Sequence, residues 1–220
     1  PGQFILTGSN AVDKSQIHHS GVGRIARLRM LPMSLWESQE STGEVSLKEL
    51  FNNPDYDIDG KMSKMTVEEL IFAASRGGWP ASLLARTPKA QLLVAKNYVQ
   101  TICSNDISSI DGKKRDARLT SMILRAYARN VSTLVKKKSL LDDVTSSGEV
   151  SCHVDTFDDY VSALEKLFVI QNVSAWCPAI RSRTAIRSGV KRCFCDPSIP
   201  IALLGSASFA SRATVVQEPN

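Results

Sequence analysis

Five cations within a short stretch give the first hint of chemistry. Arg181, Arg183, Arg187, Lys191 and Arg192 follow closely on Trp176. Closely spaced cations grip phosphate oxygens and release condensed counterions, and a neighbouring aromatic ring can stack or insert. The same residues also suit a solvated hairpin, or arginines paired with acidic groups of a neighbouring domain. Asp55-x-Asp57-x-Asp59-Gly60 imitates the start of a calcium loop. The twelfth position of such a loop supplies a bidentate carboxylate, and here it is Thr66, so the stretch reads as an acidic surface turn. His18-His19 lacks a third ligand at sensible spacing and reads as exposed, which leaves no metal site. The sequence contains no Gly-x-x-x-x-Gly-Lys-Ser/Thr, so it holds no phosphate cradle of the P-loop type. It holds no zincin motif and no convincing Ser-His-Asp arrangement.

Composition narrows the class. The chain has 220 residues, 43% hydrophobic and 22% charged, as in soluble globular proteins. No apolar run is long enough to span a bilayer, and Pro1-Gly2-Gln3-Phe4 has no signal-peptide character, so the expected setting is cytoplasmic without membrane contact. A net charge of +5 is compatible with an acidic partner. Five scattered cysteines read as free thiols in a reducing compartment.

The elements that must position the cations come from periodicity. Thr156–Phe168 puts Phe157, Tyr160, Val161, Leu164, Leu167 and Phe168 on one helical face, with Thr156 and Asp159 as a capping box. Phe168–Trp176 reads as a strand, and Cys193–Cys195 as a second, stopped by Asp196-Pro197. Helices are expected over Leu119–Asn130 and over a short segment capped by Ser132. Three helices closed by a two-stranded ribbon is the layout of a winged helix, here spanning 113–198.

Upstream, Phe4–Thr7 reads as a buried strand and Arg24–Leu31 as another, with helices at Ser34–Glu40, Ser46–Phe51, Met65–Ser75 and Thr87–Cys103. Val67, Leu70, Ile71 and Ala74 form the expected apolar face of the third, which ends at Gly77-Gly78. Asn105–Asp111 reads as a polar turn, and Ile199–Leu204 as a short apolar helix before a tail with little pattern. The fold class is therefore mainly α with small β elements.

Several pieces together resemble one group of prokaryotic AAA+ ATPases that carry a second domain of unknown function. They are Phe4–Ser9, Gly23-Arg24, Leu31-Pro32-Met33-Ser34 with Glu37, Gly77-Gly78-Trp79-Pro80, and Tyr98 with Asn105–Ser108. Leu124–Asn130, Ala175-Trp176-Cys177-Pro178, Arg181-Ser182 and Asp196-Pro197-Ser198 complete the set. The resemblance implies an excised middle segment. Residues 1–42 would be the end of the AAA+ α/β core, 43–112 a helical lid, 113–198 the winged-helix-like domain and 199–220 a truncated or weakly ordered tail. It places Thr7, Ser9 and Asn10 where such proteins sense nucleotide, and Arg24 where an arginine can stabilise phosphate charge. It implies ATP and Mg in the parent protein and neither in this segment, which should not be catalytic. Weak DNA contact through the wing, a protein partner and pairing of copies through Phe4–Thr7 are the partner expectations. The alternatives to the ATPase reading are a DNA-binding winged helix and a protein-interaction domain.

Overall fold

A computed structural model describes residues 4–8, 24–26, 28–146, 148, 150–176 and 189–205. Among these the chain is mainly helical. The elements are α1 (Leu47–Asn52), α2 (Val67–Arg76), α3 (Pro80–Leu84), α4 (Pro88–Thr101), a π-helical turn (Ile102–Asp106) and α5 (Ile107–Ser109). They continue with α6 (Ala117–Arg129), α7 (Lys137–Thr145), α8 (Val154–Lys166) and α9 (Ser198–Leu204).

Helix α6 is the central element. Asp116 caps it by accepting the Leu119 N–H at 2.6 Å. Leu119, Ile123, Leu124, Ala126, Tyr127 and Ala128 are all buried along it. Helix α7 adds Leu140 and Val144, α8 adds Phe157, Tyr160, Ala163 and Leu164, and α9 adds Ile199 and Leu203 to the same core. Burying each large aliphatic or aromatic side chain stabilises the body by about 1.5–3 kcal/mol before entropy is subtracted. The π-turn directs Ile102 inward, and α5 does the same for Ile107, so the run at 105–111 is helical as far as Ser109 and becomes a turn only at 110–111.

The β content is small. Val173 and Lys191 exchange backbone hydrogen bonds of 2.9 and 2.8 Å, the Gln171 N–H donates to Cys193 O at 2.8 Å, and the Cys195 N–H donates to Val169 O at 3.1 Å. These are antiparallel bridges, shorter than the two strands expected from sequence. Ser132 adds a third segment. Its N–H donates to Arg192 O at 2.7 Å, and the Arg192 N–H donates to Thr133 O at 2.9 Å. Ser132 therefore does not cap a helix. Its φ of +61° turns the chain out of α6 into this pairing, and α7 begins five residues later, at Lys137. Phe168, at φ +60°, makes the corresponding turn from α8 into the ribbon.

Further expectations are corrected. Helix α8 starts at Val154 after His153, so Thr156 lies inside its first turn and no side chain caps it. Phe4–Thr7 forms no strand, and Phe4 and Ile5 are 86% and 90% exposed. The described part of Arg24–Leu31 is also irregular, and Ser34–Glu40 forms turns. Most of the expected α2 face is turned outward: Val67, Leu70 and Ile71 are exposed and Ala74 is half-buried, while Ala73, Ser75 and Arg76 are buried. Contact with α4 and α9 fixes which side of α2 faces inward, and small side chains with an arginine fit it. The helix expected over Ile199–Leu204 is present as α9, with Ile199 and Leu203 in the core rather than in a weakly ordered tail, and residues beyond 205 lie outside the described residues.

Candidate nucleic-acid interface

The pairing of Ser132–Thr133 with Arg192 joins two basic stretches that lie far apart in sequence. One is the end of the ribbon, Lys191-Arg192. The other is Lys136-Lys137-Lys138, which follows Val135 directly into α7. Lys136, Lys138 and Lys191 are exposed and form no ion pair with a described residue. The two ribbon cations differ in role because alternate residues of an extended chain face opposite ways. Lys191 lies opposite Val173 on the outer side, where Val173 is 46% exposed. Arg192 turns inward. Its Nε donates to Val135 O at 3.4 Å, its Nη1 to Asn172 Oδ1 at 3.3 Å, and its guanidinium lies 6.0 Å from the centre of the Tyr127 ring. Burial raises the Tyr127 phenol above its usual range, and the nearby Arg192 charge works against that rise. Arg192 therefore braces the ribbon against α6, while Lys191 remains available to a partner. Arg181, Arg183 and Arg187 lie outside the described residues.

Helix α8 carries the opposing charge, much of it already engaged. Asp158 pairs with Lys137 at 2.8 Å, and Asn172 Nδ2 donates to Glu165. Asp159 accepts from Lys113 Nζ at 2.6 Å and from Arg115 Nε at 2.9 Å. Partial burial of Asp159 disfavours its charge, but these two hydrogen bonds outweigh it and hold the carboxyl below its usual range. Arg115 is the buried anchor, its side chain 2% exposed. Its Nη1 and Nη2 donate to the two oxygens of Asp111, each at 2.7 Å, and Nη1 also donates to Ile107 O. The Arg115 fork holds the Asp111 carboxyl down at about 2.

A second polar cluster ties α9 to α2 and α3. The Gly78 N–H donates to Asp196 Oδ2 at 2.9 Å, and the Ser198 N–H donates to Asp196 Oδ1 at 2.8 Å. Trp79 Nε1 donates to Ser198 Oγ at 2.9 Å, and the Trp79 ring lies 4.5 Å from that of Tyr98. Gly77 has φ +76°, and a Cβ there would overlap Asp196 Oδ1 and Ser198 Oγ. Asp196 is buried with both oxygens engaged, so it serves the packing. Cys103 and Cys195 are free thiols pushed up to about 11 by burial, which makes them poor nucleophiles.

Thr7 and Arg24 lie exposed on irregular backbone, and Ser9 and Asn10 fall outside the described residues. By themselves Thr7 and Arg24 enclose no cradle for the phosphates of ATP or for Mg. His18 and His19 also lie outside the described residues. The Asp55–Asp59 stretch is an exposed turn in which the Asp59 N–H donates to Asp57 Oδ1 at 2.8 Å. Among the described residues no group of three or more His, Cys, Asp or Glu could hold a metal ion. No described helix is long and apolar enough to cross a membrane.

Sequence reasoning missed Lys136 and Lys138. The signal available was the run of three lysines at the start of an apolar helix, where cations face the positive end of the helix dipole. A family model described as a domain of unknown function, DUF8612, matches residues 67–209. No curated protein and no solved structure matches the chain.

Proposed function

The chain belongs to the DUF8612 family, whose matched span runs from the start of α2 past α9, and we propose that this body is a winged-helix-like, non-catalytic binding module. The observation that carries this reading is the order of elements. Helix α6 leads into Ser132–Thr133, then α7 and α8, then the bridged segments around 169–173 and 191–195. The 191–193 segment lies between the other two, because Lys191 bonds to Val173 and Arg192 bonds to Thr133. This order supports the winged-helix reading, in which α8 would be the third helix and the ribbon the wing.

The module binds the phosphate backbone of nucleic acid weakly, through the ribbon edge. Helix α8 does not read base edges in a major groove, because Asp155 and Asp158 are exposed on it and oppose a phosphate backbone. A purely protein-binding role is the lesser reading, since Lys113, Arg115 and Asn172 already engage Asp159 and Glu165. The resemblance supports a parent protein of the AAA+ ATPase type in which ATP and Mg are held outside this chain. The exposed run Phe4-Ile5-Leu6 supports self-association there, which native mass spectrometry of a variant lacking residues before Gly21 would test.

Fluorescence anisotropy with a random-sequence duplex at low and moderate salt tests the binding reading. Feeble binding that weakens steeply with salt is expected. Tight binding that survives salt would overturn the reading. Isothermal titration with Mg-ATP is expected to show no micromolar binding.

A further inference from the structure

Trp176 is 82% exposed, an uncommon state for the largest apolar side chain. It lies three residues beyond Val173, which is about 10 Å along extended chain. Val173 is bridged to Lys191 on the outer side of the ribbon. Leu134, 65% exposed, lies beside the ribbon, where a Cβ added at Gly189 would come within 4.0 Å of it. Lys136 and Lys138 follow directly into α7. Around the ribbon the body therefore offers an exposed indole, two exposed aliphatic side chains and three exposed lysines. Arg192, braced on Tyr127 and Asn172, makes its backing firm.

We propose that this surface is a platform for single-stranded nucleic acid, in which the Trp176 ring stacks on an unpaired base and Lys136, Lys138 and Lys191 follow the phosphates. The inference rests on the phosphate-binding reading above and names the form of its partner. Charge complementarity selects a polyanion. The exposed indole selects one whose bases are free, because every base has a π-face that an aromatic ring can cover. A duplex hides those faces. It would also have to approach a body whose α8 presents Asp155 and Asp158. A single strand is thin and flexible enough to follow the ribbon edge and avoid them.

The test uses the full chain, a labelled oligothymidylate and a duplex of equal length, at two salt concentrations. The single strand should bind about tenfold or more tightly than the duplex. Trp176→Ala should weaken single-strand binding about fivefold or more and leave duplex binding nearly unchanged, as expected for loss of one stacked base. Trp176 is exposed, so the variant's urea midpoint should match that of the parent. Equal affinity for both forms, with Trp176→Ala silent, would overturn the platform and leave the phosphate-binding reading standing. Binding to neither form would overturn both. A Trp176→Phe variant should recover most of the lost single-strand affinity, and failure to do so would contradict stacking.

Discussion

The junction of α5, α6 and α8 and the edge of the ribbon both concentrate cations, but they use them differently. At the junction Arg115 is buried, and Asp111, Asp159 and the Ile107 carbonyl take up its donors. At the ribbon edge Lys136, Lys138 and Lys191 are exposed and make no ion pair with a described residue. A buried cation with every donor engaged holds elements together, and removing it strands the carboxylates it neutralised. Exposed lysines cost the fold almost nothing and are free to meet an external anion. Burial and pairing, rather than the number of cations, separate a structural cluster from a binding one.

The largest expected effect falls on the junction. Arg115→Ala leaves Asp111 and Asp159 without their main partner and should lower stability by about 3 kcal/mol, read from urea unfolding. The sign with pH follows from Asp111. Its folded carboxyl is held down at about 2, below the usual carboxylate value, so its contribution is fully present above about pH 4 and fades as pH falls toward 2. Stability should therefore decline over that window, and the decline should be shallower in Arg115→Ala. An unchanged slope would mean that Arg115 does not set the Asp111 proton affinity.

Gly77→Ala comes next. It puts a Cβ at a backbone conformation favouring glycine and against Asp196 and Ser198, so a loss of about 2–3 kcal/mol is expected. A neutral result would show that the α2–α9 contact is looser than its hydrogen bonds indicate.

The smallest effect sharpens the contrast from the other side. Asp158→Asn releases Lys137, whose ion pair is half exposed, and removes one charge facing a phosphate backbone. Nucleic-acid affinity should rise about two- to threefold with stability nearly unchanged. A fall in affinity would indicate that α8 itself takes part in binding.

Helices with a clear local apolar period were legible from the chain alone. In α6 the apolar residues recur at helical spacing, and the helix expected over Met65–Ser75 lies within two residues of α2 at each end. Legibility failed where a distant partner decides the outcome. Ser132 looks like a helix cap, but a backbone bond to Arg192 fixes it at positive φ. The α2 stripe pointed the wrong way because packing against α4 and α9 determines which side is covered. The candidate site was half legible for the same reason. The ribbon cations stand out as a run, but Lys136 and Lys138 join them only through pairing across some 60 residues. Nothing in the sequence distinguishes braced Arg192 from free Lys191 until the side of the ribbon each occupies is known.

The most direct test of the contrast is a paired measurement on Lys136→Ala/Lys138→Ala/Lys191→Ala. Urea unfolding and single-strand anisotropy would be recorded on the same preparation. The unfolding free energy should stay within about 0.5 kcal/mol of the parent protein, because exposed, unpaired lysines contribute little to the fold. Binding should fall tenfold or more, with a shallower salt dependence. A triple variant that binds as well as the parent, or that loses stability as Arg115→Ala does, would contradict the division between structural and binding cations.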